Sequence, residues 1–286
     1  TKMANVINKS KLANLFFIIS IILRFTNETT SNISFLVLVL LCFFGIREII
    51  LSLLFTWLFS SLNSGIAPPL SYAVILRYLV ILAAFISSFN HLKFQSLILN
   101  KNLYLASLIF FLFILFHSLL ISKVPEISIL RSISWLLLFT LLINCWSNIS
   151  EKNFRKLIKD IFIIFTAIIL LSLLLVKSKI GYLKNDDGFQ GILNHPQLFG
   201  IVTSLFGIFI LMRFPEKIFS SFFYFMITII IVALLILSES RTGIFALFGS
   251  YIISIFSNSF YNKKSERYNS TFLLMIVFAP VLIFFS

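Results

Sequence analysis

The densest polar chemistry of the chain lies in residues 177–196, a stretch between two apolar segments. Asn194 or His195 can cap the helix that Pro196 would open. The first N–H groups of such a helix, together with its positive dipole end, form a ready site for an anion. The stretch therefore predicts either an anion site or an ordinary turn that ends in a helix cap.

The same stretch holds other candidates for chemistry. Gly188 and Gly191 would let the backbone approach a ligand closely. Asp186 and Asp187 form a carboxylate pair that could perform acid–base work or bind a cation, although adjacent acids in a loop are more often simply solvated. Lys184 adds a positive charge that suits an anionic ligand.

A second cluster, Ser-Glu-Ser-Arg-Thr-Gly, occupies residues 238–243. The guanidinium of Arg241 is the side chain best shaped for bidentate contact with phosphate. Ser240 or Thr242 can cap the apolar segment that follows. The alternative is that Arg241 is only an anchor that reaches to the membrane surface.

Three ionisable residues fall within apolar segments, where they are costly and hence functional candidates. Arg77, His117 and Arg131 all lie in the half of their segment that we assign to the outer side. Arg77 and Arg131 suit an anionic headgroup. The alternatives are that both arginines snorkel to the outer headgroups and that His117 is a hydrogen-bonded interior histidine.

The composition decides which kind of protein positions these residues. Of the 286 residues, 59% are hydrophobic and only 12% are charged, and the mean hydropathy is +1.05. An ordinary soluble domain has about 25% charged residues. These values exclude a soluble enzyme, a disordered chain and a disulfide scaffold, and they indicate a polytopic membrane protein.

The hydropathy pattern predicts an all-α, helical membrane bundle with about eleven transmembrane helices in a single domain over 1–286. A spanning helix needs about 20 residues, so no soluble domain of useful size is left. The apolar segments are at about 12–23, 33–46, 49–62, 70–89, 103–121, 127–146, 161–176, 197–212, 218–237, 243–257 and 271–286.

The net charge of +13 reflects orientation rather than binding of nucleic acid. With the N-terminus placed in the cytoplasm, fifteen Lys and Arg residues lie in inner segments. This bias is typical of cytoplasmic loops, and it places 177–196 and 238–242 outside. The outer segments hold only six such residues: Arg24, Lys123, Lys177, Lys179, Lys184 and Arg241.

Cys42 and Cys145 lie inside apolar segments, which favours packing and gives no support for a disulfide or a metal site. The chain does not begin with Met, and it ends within an apolar run. We therefore expect it to be part of a longer protein.

The stretch Gly-Phe-Gln-Gly-Ile-Leu-Asn-His-Pro-Gln-Leu-Phe-Gly over 188–200 resembles a signature of the O-antigen ligase and polymerase family of bacterial envelope proteins. In that family a Gly precedes a His-Pro-Asn/Gln step that opens a span. The run at 238–243 resembles the family's Ser-Arg-Thr/Ser motif, and Ser132-Ile133-Ser134-Trp135 is similar to a weaker feature. The resemblance covers about residues 70–286.

The resemblance implies a metal-independent membrane glycosyltransferase without a cofactor, located in the bacterial inner membrane. The family takes a glycan from undecaprenyl diphosphate at the outer face and transfers it to lipid A–core or to another lipid-linked glycan. By this resemblance Arg241 would bind the diphosphate, with His195 and Gln197 beside it. Asn194, in the same loop, is a further candidate for substrate binding. His195 is then the candidate catalytic residue.

Two departures from the family pattern matter. Members often carry an Arg shortly before the second Gly of the loop motif, whereas here the nearest base is Lys184. The family also has a large outer loop with an important His, followed by more spans, and this region would begin about where the chain stops. We therefore expect the presumed catalytic His to lie beyond residue 286 and these residues to bind donor without turnover.

Other functions remain open on the sequence. A transporter or flippase of lipid-linked oligosaccharide would also place cations in a membrane cavity, but it would usually show two matching halves. A cation transporter that uses Asp186 and Asp187 fits less well, because both acids lie in a loop. A membrane scaffold without enzymatic activity is the plainest alternative.

Overall fold

The computed structural model describes residues 2–92, 98, 100–182, 188–213 and 221–260, with side chains described over 11–92, 98, 100–182, 188–210 and 226–250. In these ranges the chain is all-helical, as the sequence predicts. A short 3-10 helix, Lys179–Gly181, accompanies ten α-helices: α1 Lys2–Thr26, α2 Glu28–Leu41, α3 Ile46–Ser60, α4 Ala73–Phe89, α5 Lys101–Ile121, α6 Pro125–Asn148, α7 Glu151–Leu174, α8 Pro196–Arg213, α9 Ser221–Leu237 and α10 Arg241–Phe260.

Each predicted apolar segment from 12–23 to 243–257 overlaps one of these helices, although 33–46, 49–62, 70–89 and 161–176 extend past the helix ends. Residues 218–220 and the segment 271–286 lie outside the described residues. The predicted segments 33–46 and 49–62 are two separate helices, but the break between them lies at 42–45, and Arg47 and Glu48, which were predicted to lie between the segments, belong to the first turn of α3. Pro125 and Pro196 each open a helix, since a first helical residue needs no N–H donor.

Three of the helices are long and apolar enough to cross a membrane, namely α5, α6 and α7. The chain is thus a membrane protein with transmembrane helices. Most of the other helices are apolar but shorter; α2 has 14 residues and α3 has 15. Length and composition identify these three spans. The total of about eleven transmembrane helices, which includes the shorter helices, stays a prediction.

The described residues form two compact units, one from 2–60 and 67–157 and the other from 61–66 and 158–260. In the first unit α3 is the central helix, because every residue from Ile49 to Phe59 is buried. A helix that is apolar on all sides is stable only when other helices surround it. Within this unit α2, α4 and α6 pack against it.

Arg24 is a buried cation of the first unit, in the last turn of α1 and 3% exposed. Its Nε and Nη2 donate to the carbonyl oxygen of Phe59 at 3.1 and 3.0 Å. Its Nη1 donates to the carbonyl oxygen of Pro68 at 2.8 Å and to Ser31 Oγ at 3.2 Å. The carbonyls at the end of α3 carry partial negative charge and stabilise a cation there.

A second polar group in the first unit joins α4, α5 and α6. Asn144 is 1% exposed, and its Nδ2 donates to Ser88 Oγ at 3.1 Å. Tyr104 donates its hydroxyl to Asn144 Oδ1. Because the buried carboxamide has a partner at each end, this network joins the three helices without an unpaired polar atom of Asn144.

The second unit is built around α8, in which residues 202–210 are all buried. α9 and α10 both pack against α8. A methyl group at Gly200 would overlap the side chain of Ser240, and one at Gly207 would lie 2.8 Å from Leu247 Cδ1. Since both contacts advance by seven residues, α8 and α10 run parallel, with their N-termini at the same end.

Candidate functional site

The loop 188–195 is fixed by backbone hydrogen bonds within the second unit. Phe189 N donates to the carbonyl oxygen of Leu237, the last residue of α9, at 2.8 Å. The N–H groups of Gln190 and Gly191 both donate to the carbonyl oxygen of Gly181, at 2.8 and 3.1 Å. The loop that carries the first motif is therefore tied both to the 3-10 helix and to the end of α9.

Glycine is required at two points of this loop. Gly188 and Gly191 have φ of +67° and +57°, a region that side chains disfavour. A methyl group at Gly188 would lie 3.0 Å from two carbons of Pro196 and 3.3 Å from the carbonyl oxygen of Ser238. At Gly188 the backbone therefore lies close to the second motif and to the start of α8, while its close approach to a ligand stays a prediction.

His195 caps α8. Its Nδ1 accepts a hydrogen bond from Gln197 N at 3.2 Å, and its carbonyl oxygen accepts the first helical bond, from Phe199 N, at 3.1 Å. A capping side chain satisfies one of the N–H groups that a helix start leaves without an intrahelical partner. Of the two residues that the sequence offers as caps, His195 is the one that the structure uses.

The second motif is the turn between α9 and α10. Ser240 Oγ accepts a hydrogen bond from Gly243 N at 3.2 Å and so caps α10. Glu239 has a φ of +53°, which is costly for any residue with a Cβ. This single left-handed residue lets the chain leave one helix and begin the next across only 238–240.

The two motifs meet where α8 and α10 touch. A methyl group at Gly243 would lie 2.7 Å from the carbonyl oxygen of Gly200, so the two backbones are in direct contact. Because the helices are parallel, both positive dipole ends face the same end of the second unit. The arrangement suits negative charge and gives it two helix N-termini at once.

The predicted site residues of the second unit stand at this end. Asn194, His195, Gln197 and Arg241 are all exposed. Arg241 is the first residue of α10, and its backbone N donates to the carbonyl oxygen of Glu239 at 3.1 Å. Its guanidinium makes no hydrogen bond or ion pair with any residue that the structure describes. An exposed guanidinium beside two helix N-termini can bind an anion through two parallel N–H groups.

The remaining candidates lie elsewhere. Arg77 on α4 is half-buried, whereas His117 on α5 and Arg131 on α6 are exposed; all three belong to the first unit. Lys184 and the pair Asp186 and Asp187 fall outside the described residues. In the ranges described, no three His, Cys, Asp or Glu side chains lie close enough together to hold a metal ion.

Sequence reasoning missed Asn63. It lies in 61–66, a segment that follows α3 and belongs to the second unit. Its backbone N donates to the carbonyl oxygen of Ile192 at 2.9 Å, and Asn194 N donates to the carbonyl oxygen of Ser61 at 2.8 Å. An Asn followed by Ser and Gly signals a turn, but nothing in the sequence indicates a partner more than a hundred residues away.

Comparison with protein-family models, with curated protein sequences and with solved structures gave no match to this chain. A functional assignment therefore rests on the residues of the two motifs and on their geometry.

Proposed function

We propose that the chain is the donor-binding part of a membrane glycosyltransferase of the O-antigen ligase or polymerase kind. In this proposal it acts at the outer face of the bacterial inner membrane, with about eleven spans and a cytoplasmic N-terminus. Its donor is a glycan on undecaprenyl diphosphate, and its acceptor is lipid A–core or a second lipid-linked glycan. It works in the assembly of cell-surface polysaccharide without a metal or a cofactor.

One observation carries the proposal: two parallel helices present their N-termini together, with the exposed guanidinium of Arg241 on the first residue of one of them. A sugar diphosphate needs its negative charge stabilised as the diphosphate leaves. Fixed N–H dipoles and an arginine perform this stabilisation in a site from which water is partly excluded. Both features belong to the two motifs that resemble the family.

The reaction is a substitution at the sugar. The hydroxyl oxygen of the acceptor attacks the anomeric carbon, the bond from this carbon to the diphosphate oxygen breaks, and undecaprenyl diphosphate leaves with the electron pair. A base takes the hydroxyl proton. We assign diphosphate contact to Arg241 and contact beside it to Asn194, His195 and Gln197.

Lys184, Arg77 and Arg131 are the further cations that we propose for the anionic headgroup. Their positive charge is the observation that supports this assignment. The catalytic role proposed for His195 is contact with the leaving group rather than attack.

The test compares Arg241→Ala and Arg241→Lys with the wild-type chain in lipid nanodiscs. We expect Arg241→Ala to bind undecaprenyl diphosphate about ten- to a hundredfold more weakly, because hydrogen bonds to charged groups are among the strongest. Arg241→Lys should be intermediate, since it keeps the charge but loses the bidentate fork. Arg155→Ala, which removes an exposed arginine paired with Glu151, is the control.

Binding and activity are read separately. Binding by Arg241→Ala at the wild-type level would show that Arg241 is not the diphosphate ligand. Proteoliposomes with lipid-linked glycan and each acceptor then measure transfer. Movement of the lipid-linked glycan across the membrane without transfer would instead indicate a flippase.

A further inference from the structure

Asn63 is buried and uses its polar atoms completely. It is 5% exposed, and its Nδ2 donates to the carbonyl oxygen of Ile180 at 2.6 Å and to that of Gly191 at 3.2 Å. Its Oδ1 accepts a hydrogen bond from Gly65 N at 2.9 Å. Its backbone N–H and carbonyl are paired as well, with Ile192 and Ile66. One side chain therefore joins three separate segments of the second unit.

These partners fix the orientation of the carboxamide. Two carbonyl oxygens face the nitrogen and one N–H faces the oxygen, so a rotated amide would place its oxygen against two carbonyl oxygens. A carboxamide supplies two donors and an acceptor in one plane. Aspartate has the same shape but no donor, and serine has one donor on a shorter side chain. The three partners therefore require asparagine at position 63.

The hydrogen bonds of Asn63 fall on the part of the loop that leads into α8. Gly191, which has a left-handed backbone, is held on one side by the carbonyl oxygen of Gly181 and on the other by Asn63 Nδ2. Asn63 N holds the carbonyl oxygen of Ile192. Three residues later the chain reaches His195, the cap of α8. The position of His195 thus depends on bonds that begin at Asn63.

We propose that Asn63 is a positioning residue of the site. It touches no ligand, but it holds 191–194 so that His195 and the first turn of α8 stand beside the start of α10. The part of this inference that concerns the ligand rests on the proposed function. The part that concerns the loop stands on the hydrogen bonds alone.

Hydrogen exchange of the chain in nanodiscs tests the loop. In Asn63→Ala we expect the amides of 189–199 to exchange about tenfold faster or more, because two buried carbonyls lose their donor. Asn63→Asp should exchange faster still, since a carboxylate would face the same carbonyls. Asn144→Asp is the matched control: it makes the same substitution at a buried asparagine of the first unit and should leave 189–199 unchanged.

Unchanged exchange of 189–199 in Asn63→Ala would overturn the proposal. If Asn63→Asp does not fold, Asn63→Ala carries the test, because it removes the same two bonds without burying a charge. If Asn63→Ala does not fold either, the test uses Asn63→Ser, which keeps one donor, and measures the exchange of 189–199 in the same way.

Binding of undecaprenyl diphosphate then tests the link to the site. We expect Asn63→Ala to weaken binding about fivefold to tenfold, less than Arg241→Ala does, because the ligand contacts remain but are displaced. Faster exchange of 189–199 with wild-type binding would show that Asn63 supports the loop without positioning the site. If the wild-type chain binds no lipid diphosphate, the proposed function fails, while the exchange rates still judge what Asn63 does to the loop.

Discussion

Arg24 and Arg241 both stand at a helix end, yet their surroundings are opposite. Arg24 is in the last turn of α1, is 3% exposed and donates four hydrogen bonds to neighbouring oxygens. Arg241 is the first residue of α10 and is exposed, and its guanidinium has no partner among the described residues. The helix dipole favours a cation at a C-terminus and disfavours one at an N-terminus. Arg24 therefore stabilises the fold, whereas the helix dipole disfavours the charge of Arg241.

The contrast separates a structural cation from one that is available to a ligand. The acceptors of Arg24 are neutral carbonyls and a hydroxyl, and they use its N–H groups within the protein. The guanidinium of Arg241 is exposed, at a helix N-terminus whose dipole favours negative charge. In the proposed function, a bound anion offsets the unfavourable position of the Arg241 guanidinium at its helix N-terminus.

The largest difference should appear in stability. Arg24→Ala removes the donor of the buried carbonyl of Phe59 and of the half-buried carbonyl of Pro68, and we expect the free energy of unfolding to fall by about 2–5 kcal/mol. Arg241→Ala removes no side-chain hydrogen bond or ion pair with a described residue and should change the free energy of unfolding by less than about 0.5 kcal/mol. Thermal unfolding in detergent, followed by circular dichroism, measures both. An equal loss of stability in the two variants would show that Arg24 is not more important to the fold than Arg241.

The contact between the helices that place Arg241 is tested at two glycines of α10. Gly243→Ala would put a methyl group 2.7 Å from the carbonyl oxygen of Gly200, and we expect a loss of about 1–3 kcal/mol. Gly249→Ala meets nothing within 4 Å and should instead stabilise the helix, by up to about 1 kcal/mol. The two variants are compared in the same unfolding measurement. Gly243→Ala as stable as the wild type would mean that the helices are not in contact there.

The cap of α8 is expected to contribute less. His195→Ala removes the acceptor of Gln197 N and should cost about 1 kcal/mol, while His195→Asn should retain most of the stability, because asparagine is a good cap. Binding of undecaprenyl diphosphate adds a second reading. Asparagine keeps an acceptor for the cap but lacks the imidazole ring. Weaker binding by His195→Asn at unchanged stability would therefore show that the imidazole contacts the ligand. Unchanged binding by His195→Asn together with reduced stability would show that His195 is purely structural.

The smallest effect is a gain in stability. Glu239→Gly relieves the left-handed backbone before Arg241, and we expect about 0.5–1 kcal/mol of stabilisation. Glu126→Gly, in the first turn of α6, makes the same substitution in an ordinary helix and should destabilise the protein by about 0.5–1 kcal/mol. A loss of stability at both positions would mean that Glu239 makes a contact that stabilises the protein by more than its backbone strain costs.

The sequence predicted the helices and the local features of the site well. Apolar segments became helices because burial of apolar surface needs no knowledge of the partner, and the cap at His195 and the turn at Ser240 depend only on neighbouring residues. Arg24 and Asn63 were not predicted as anchors. The acceptors of Arg24 lie 35 and 44 residues away, and those of Asn63 lie 117 and 128 residues away. Local patterns carry no information on such distant carbonyls.

The cap on α8 also determines what His195 can do with a proton. Because Nδ1 accepts the N–H of Gln197, the neutral imidazole carries its hydrogen on Nε2. In this tautomer the exposed nitrogen is a donor, so it can donate a hydrogen bond to a leaving oxygen but has no lone pair with which to receive a proton from an acceptor hydroxyl. A second proton could enter only at Nδ1 and would release the first turn of α8. The proton balance of the proposed transfer therefore assigns the acceptor's base to a group other than this imidazole.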